Sequence, residues 1–143
     1  MAIQDMMAIA ASGLQAQRIR MQVISSNLAN LHSTKGPDGG PFRRLVPIFQ
    51  AEALPGSFEN ELDAQRQLYA VRVNKVTTDN REPLWVYDPD HPDANPDGYI
   101  AMPNINVVEE MTNLMNAARS YEANLAALQT GKAMAKQALD LGK

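Results

Sequence analysis

The chain has 143 residues, 45% of them hydrophobic, and a formal net charge of −3 at pH 7. These values are typical of a folded protein of one or two small domains and exclude a disordered chain. No basic patch or stripe occurs, which argues against nucleic acid or an anionic membrane surface as the main partner. Because there is no cysteine, disulfides and thiolate chemistry are excluded as well.

Neither a membrane span nor a cleaved signal is predicted. No apolar run approaches the ~20 residues of a transmembrane helix, and the N-terminus lacks the basic region and compact apolar core of a secretory signal. We therefore expect both ends of the chain to be part of the folded structure.

Residues 1–31 are predicted to form a helix with one seam, a row of residues spaced alternately four and three apart that faces a partner helix. Its only charged residues are Asp5, Arg18 and Arg20, and the outer positions carry Ala, Ser and neutral amides. Surface helices usually place Lys and Glu there, so we expect this helix to be packed on several sides. Gln17 interrupts the seam, whose other members are Ile3, Met7, Ala10, Leu14, Met21, Ile24, Leu28 and Leu31.

Two connecting segments have little regular pattern. Residues 25–30, SSNLAN, hold side chains that compete for backbone hydrogen bonds, so the first helix is predicted to end there. The Gly and Pro residues of 31–42 predict a turn-rich connector. The acidic segment 54–67 is either a surface loop or a short helical turn opening at Ser57, and its role stays open.

A middle region, 32–105, is predicted to contain a small β element with one apolar face. Pro47 lacks an amide donor, which places the first strand at an edge. The β-branched and aromatic content predicts three short strands, at 42–51, 68–78 and 83–87.

The segment after the third strand offers two candidate ion or acid-base sites. Asp93, Asn95, Asp97 and Gly98 match the first half of a calcium loop, in which alternate oxygens converge on the ion. The match then fails, because Asn104 stands where the bidentate Glu is required and the flanks are rich in proline.

His91 with Asp90 and Asp93 is the second candidate, because imidazole and carboxylate are common metal ligands and proton carriers. The only other histidine, His32, lies in a different connector. The structural interpretation is that Asp and Pro fix consecutive turns leading to the last helix.

Residues 106–142 are predicted to form one long helix, with Asn106 as N-cap, Glu109 reaching back to the amide of the cap, and Gly142 at its end. At about 1.5 Å per residue its length is on the order of 50 Å, more than the core of so short a chain covers. The helix therefore needs a partner. Lys132 is the one polar member of its seam, which otherwise comprises Val107, Met111, Leu114, Ala118, Tyr121, Leu125, Leu128, Ala135 and Leu139.

The predicted fold class is mainly α, with a small β-rich insertion between paired terminal helices. Residues 1–31 and 106–142 would form one discontinuous coiled-coil domain, and 32–105 the middle region. We expect the helices to contact other subunits as well as each other. The candidate interface residues are Ile3, Met7, Leu14, Met21, Ile24, Leu28, Val107, Met111, Leu114, Tyr121, Leu125, Leu128 and Leu139.

From end to end the chain resembles the bacterial flagellar basal-body rod proteins, and among them the proximal rod subunits. The resemblance rests on SSNLAN at 25–30, FRR at 42–44, YDPDHPDA at 87–94, GYIAMPNINVVEEM at 98–111 and ARSYEANLAAL at 118–128. The first motif is common to flagellar axial proteins, whereas YDPDHPDA followed by GYIAMPNIN is more specific. The motif residues singled out are Asn27, Leu28, Asn30, Tyr87, Asp88, Pro89, His91, Pro92, Asp93, Gly98, Tyr99, Pro103 and Asn104.

The resemblance implies a structural subunit with no catalytic activity, cofactor or metal. Such a subunit leaves the cell through the flagellar export apparatus without a cleaved signal and assembles helically with related rod subunits and copies of itself in the periplasm. Its terminal helices carry torque and line the export channel. Gly131 departs from a good helix former, costs roughly 1 kcal/mol relative to Ala and marks a possible bend.

Two other classes of function compete with this one. The first is a soluble ion-binding module that uses the 88–98 loop. The second is a free-standing helical adaptor that binds one partner helix.

Overall fold

The computed structural model describes residues 2–36, 39–54 and 68–141. Its elements, in chain order, are α1 (Ala2–Ala29), β1 (Leu45–Ala53), β2 (Tyr69–Thr78), β3 (Leu84–Tyr87), β4 (Tyr99–Met102) and α2 (Val107–Leu141). The predicted fold class is thereby confirmed. Within the described ranges, neither helix has an apolar stretch that would span a bilayer. The predicted loop or helical turn at 55–67 lies outside the described residues.

The two helices lie antiparallel and approach each other closely through small residues. A Cβ atom added to Gly13 would lie 2.7 Å from Nδ2 of Asn124, and one added to Gly131 would lie 2.8 Å from Cε of Met6. Ala117 of α2 is completely buried. The departure noted at Gly131 therefore has a structural cause, because a larger side chain there would displace the side chains of Met6 and Met7.

The face that α2 turns toward α1 differs from the predicted seam at every second position. The predicted members that alternate correctly along this face are Leu114, Tyr121, Leu128 and Ala135, all of them half-buried. The alternating members lie one residue earlier than predicted, at Glu110, Ala117, Asn124 and Gly131. These side chains are polar or small, so a search for apolar spacing selects their larger neighbours instead.

The start of α2 and the end of α1 agree with the predicted signals, whereas the predicted stop at Gly142 lies outside the described residues. Oδ1 of Asn106 accepts hydrogen bonds from the amides of Val108 (3.0 Å) and Glu109 (3.3 Å), which confirms it as the N-cap of α2. At the end of α1, Nδ2 of Asn30 donates to the carbonyl of Ser26 (2.9 Å). This side chain satisfies a carbonyl in the last turn of α1.

Strands β1 and β2 form an antiparallel hairpin that packs on α1. Pro47 pairs with Val76 in this two-stranded sheet, so it occupies an edge strand as predicted. A bulge interrupts the pairing between Ile48 and Phe49. The hydroxyl of Ser12 in α1 accepts a hydrogen bond from the amide of Val71 (3.1 Å) and so joins the hairpin to the helix.

Strands β3 and β4 form a second antiparallel sheet, in which Leu84 pairs with Met102 and Tyr87 with Tyr99. The three predicted strands are present, but the prediction that they form one element was wrong, because the described residues contain four strands in two sheets. Strand β4 has only four residues and lies among Asp, Asn and Pro residues that predict turns. Because β4 pairs with β3 across a loop, its local sequence has no pattern that predicts a strand.

Candidate subunit interface

A buried polar cluster, here called the clamp, joins α1, α2 and the start of β1. Its members are Asn27, Arg44 and Glu110, and the side chains of Asn27 and Glu110 are almost completely buried. Nε and Nη2 of Arg44 donate to Oε1 of Glu110 at 2.8 and 2.6 Å. Nδ2 of Asn27 donates to Oε2 of the same carboxylate at 3.0 Å. Both carboxylate oxygens are therefore engaged by partners from distant parts of the chain.

Asn27 also binds the backbone of β1. Its Oδ1 accepts a hydrogen bond from the amide of Leu45 (2.8 Å), and its Nδ2 donates to the carbonyl of Leu45 (2.9 Å). The side chain thus substitutes for a neighbouring strand. The position of β1 relative to the end of α1 is fixed as a result.

Further charges surround the clamp. Nη1 of Arg44 lies 3.6 Å from Oδ2 of Asp79, which lies 3.2 Å from Nε of Arg81. Nη1 of Arg81 is 3.6 Å from Oε2 of Glu109, so the carboxylate expected to cap α2 forms a salt bridge. The end of β2 is connected in this way to the first turn of α2.

The clamp holds structure together and does not present reactive groups. Its donors and acceptors bind one another, and burial of a charge is tolerated only when the charge is paired and hydrogen-bonded. The sequence motifs included Asn27 and the FRR that contains Arg44, but gave no sign that the two meet Glu110. Their contact depends on how three distant segments pack.

In the acidic loop between β3 and β4, amide and imidazole side chains stabilise the turns. Oδ1 of Asn95 accepts hydrogen bonds from the amides of Asp97 (3.0 Å) and Tyr99 (2.8 Å). Nδ1 of His91 accepts one from the amide of Asp93 (3.1 Å). No group of three or more metal-binding side chains occurs in the part of the chain that the structure describes. The geometry is that of consecutive turns.

Asp93 connects this loop to the connector that follows α1. The hydroxyl of Thr34 donates to Oδ2 of Asp93 (2.8 Å), and the ammonium of Lys35 forms a salt bridge with Oδ1. The hydrogen bond from Lys35, and next that from Thr34, hold the pKa of the Asp93 carboxyl below its ordinary value. Asp93 therefore acts in a contact between two loops.

The candidate interface residues differ in how much of each is covered by the chain itself. Ile24 is buried between the helices. The half-buried members are Ile3, Met7, Leu14, Met21, Leu28, Val107, Leu114, Tyr121 and Leu128. The remaining three candidates, Met111, Leu125 and Leu139 of α2, are exposed. Exposed apolar side chains along one helix are typical of an interaction surface.

Comparisons with known proteins connect these helices to one family. Residues 7–37 match the family model described as "Flagella basal body rod protein", and residues 97–141 match "Flagellar basal body rod FlgEFG protein C-terminal". The flagellar basal-body rod protein FlgC of Salmonella typhimurium is 41% identical over 143 residues, covering 100% of both chains. The FlgC of Aquifex aeolicus is 42% identical, with 100% of this chain and 99% of the relative covered. The FlgC of Bacillus subtilis is 40% identical, with 94% and 95% covered.

The chain belongs to the FlgC family of flagellar basal-body rod proteins. The resemblance carried by the motifs is confirmed, and none of these relatives is described as binding an ion. The two segments that match rod-family models contain almost all of α1 and α2, including the clamp residues Asn27 and Glu110.

The motif residues that identified the rod family support the β3–β4 hairpin. Gly98 has a φ of 80°, and a Cβ atom there would lie 2.9 Å from Cε2 of Tyr87. The ring centroids of Tyr87 and Tyr99 are 5.3 Å apart, with planes inclined by 66°. Only glycine combines this backbone conformation with the nearby ring.

Other motif residues lie where segments of the rod-family fold join. Nδ2 of Asn104 donates to the carbonyl of Glu82 (2.9 Å), and Pro103 is buried beside it. The hydroxyl of Ser33 donates to Oδ1 of Asn30 (3.0 Å) just after α1. Half-buried Leu28 lies in the last turns of α1, and the acidic loop contains Asp88, Pro89 and Pro92.

Proposed function

We propose that the chain is a structural subunit of the flagellar rod that assembles helically through its two terminal helices. The supporting observation is the exposed apolar surface of α2, which includes Met111, Leu125 and Leu139, in a chain related to rod proteins over its full length. A helix pair with few surface charges and exposed apolar side chains suits a position among further helices.

We infer the finer features of this role from the same family. Residues 1–31 and 106–142 act as the assembly unit, and 32–105 are an insertion that projects from it. The partners are copies of the chain and related rod subunits. The proposal also includes export through the flagellar apparatus without a cleaved signal and a position in the periplasm. There the chain would transmit torque and line the export channel. The role is mechanical, without catalysis.

The test replaces an exposed apolar residue of α2 by a charge. In Leu125→Asp we expect loss of assembly, because a carboxylate in a helix interface must be desolvated without a partner. Because Leu125 is only 37% exposed, the variant also loses some packing within the chain, but the helices of the dilute chain should still form. Sedimentation velocity over a range of concentrations measures assembly, and circular dichroism measures the fold.

The control is Asn116→Asp, which adds the same charge at an exposed position of α2 without removing an apolar group. We expect it to assemble like the wild type. Assembly of Leu125→Asp at wild-type concentrations, together with normal motility of cells that carry it, would contradict a role for this surface.

A further inference from the structure

One face of α1 is exposed along the whole helix and carries a single charge. Its members are spaced alternately four and three apart, so they form one stripe. This α1 stripe consists of Gln4, Ala8, Ala11, Gln15, Arg18, Gln22, Ser25 and Ala29, all of them exposed. Within the described residues most of it lies away from the contacts with α2 and with β2 that Gly13 and Ser12 mark. Gln15 borders the groove between α1 and the β1–β2 hairpin, and Arg18 and Gln22 border a groove that also includes Tyr121 of α2.

A matching face runs along α2. This α2 stripe consists of Val108, Met111, Met115, Glu122, Ala126, Gln129 and Ala133, all of them exposed, with half-buried Ala118 at the remaining position. Met111 and Met115 are each more than half exposed. Glu122 is the only charged residue in the stripe, and its charge is opposite to that of Arg18.

Neither of these two charges is in an ion pair among the described residues. The remaining side chains of the stripes are small, neutral or flexible, and such side chains let helices pack closely. Each stripe therefore presents a packing surface with one charge near its middle, and these two charges are opposite in sign. Exposed Arg119 lies beside the α2 stripe, one turn before Glu122.

The antiparallel pairing of the helices sets the relative height of the two charges. Gly13 lies beside Asn124, and Asn27 lies beside Glu110. By the same pairing Arg18 is level with Arg119. Glu122 lies three residues farther along α2, about 4.5 Å along the axis. A second copy in the same orientation, moved sideways and shifted by about this distance, brings Arg18 next to Glu122.

We propose that the α1 stripe of one copy packs against the α2 stripe of the next, with a salt bridge between Arg18 and Glu122 that fixes their relative height. This inference rests on the proposed function, to which it adds the partner and the contact. The contact joins two different surfaces, so each added copy presents a fresh stripe and assembly continues. The antiparallel order of helices found within one chain continues into the next.

Charge reversal tests the contact. In Arg18→Glu and in Glu122→Arg, like charges meet, so we expect the concentration needed for assembly to rise by about tenfold or more. The double variant with both substitutions restores opposite charges and should assemble close to the wild-type concentration. Both positions are exposed, so circular dichroism of each dilute variant should match the wild type.

A mixture of the two single variants gives a second test. Every contact between unlike copies in the mixture pairs opposite charges, so we expect the mixture to assemble when neither variant does alone. Lys75→Glu is the matched control, because it makes the same change of charge at an exposed position of β2. It should assemble like the wild type. Sedimentation velocity at constant salt measures these five samples and the wild type.

The outcomes separate this inference from the proposed function. If the single reversals assemble like the wild type, the contact is overturned and the proposed function stands. The same holds if the single reversals lose assembly but neither the double variant nor the mixture recovers it. A closed dimer that does not grow with concentration overturns the continuing arrangement. A wild type that stays monomeric overturns the contact between copies, and complementation of motility then decides the proposed function separately.

Discussion

At the scale of single residues, Glu110 has the most demanding environment. It is charged and buried, and Asn27 and Arg44 occupy both of its oxygens. In Glu110→Ala the guanidinium of Arg44 loses its shortest contact inside the protein. We therefore expect the free energy of unfolding to fall by about 3–5 kcal/mol. Urea denaturation of dilute protein measures this change.

The neighbouring residue supplies the control. Glu109 is about 43% exposed and its salt bridges are long, so Glu109→Ala should cost less than about 1 kcal/mol. Equal losses in the two variants would mean that the clamp contributes no more than an ordinary surface charge.

Asp93 predicts a pH dependence whose sign follows from its lowered pKa. Hydrogen bonds from Lys35 and Thr34 favour its ionised form in the folded chain. The stabilisation is therefore fully present above the unfolded pKa of about 3.9 and is lost as the pH falls through the folded pKa. Asp93→Asn should lower the melting temperature at pH 7, and the difference from wild type should shrink below pH 4. A difference that stays constant from pH 7 to pH 3 would show that Asp93 makes no charge-dependent contribution.

At the scale of elements, the close approach of the helices depends on Gly13. Replacing a glycine inside a helix normally stabilises the helix, but a larger side chain at position 13 would meet Asn124. We expect Gly13→Leu to lower the free energy of unfolding by about 1–3 kcal/mol, because the helices must separate. The control is Ala11→Leu, at an exposed position on the same helix, which should change it by less than about 0.5 kcal/mol. Thermal unfolding of dilute protein gives both values, and a stabilised Gly13→Leu would rule out tight packing at this position.

The same elements show how far sequence reasoning reaches. Local signals, namely spacing, capping and β propensity, predict both helices, the end of α1, the N-cap at Asn106 and three of the four strands among the described residues. Local signals do not predict the clamp or half of the α2 face toward α1. Small residues such as Ala117 and Gly131 lie on that face because α1 is close to them. Apolar spacing identified Met111 and Leu125, which the single chain leaves exposed. Both residues belong to the exposed apolar surface that we assign to assembly, and Met111 is also a member of the α2 stripe.

At the scale of the whole molecule, the order of the isolated chain should vary along the helix pair. The clamp holds the end of the pair that contains Asn27 and Glu110. At the other end α2 continues past Gly131, which already lies beside Met6 near the start of α1. The last turn of α2 therefore has no helix beside it in the described chain, and Leu139 and Leu141 are largely exposed. Helices without packing partners draw little stability from propensity alone, so we expect this end to fray in dilute protein.

Hydrogen exchange of backbone amides, compared between dilute and assembled protein, tests most directly whether the terminal helices form the assembly surface. In dilute protein we expect slow exchange at residues 20–27 and 110–117, and fast exchange beyond residue 131. On assembly, protection should rise along both helices, most of all beyond residue 131, while the β3–β4 hairpin changes little. A gain of protection confined to the middle region, with the helices exchanging as in dilute protein, would contradict assembly through the terminal helices.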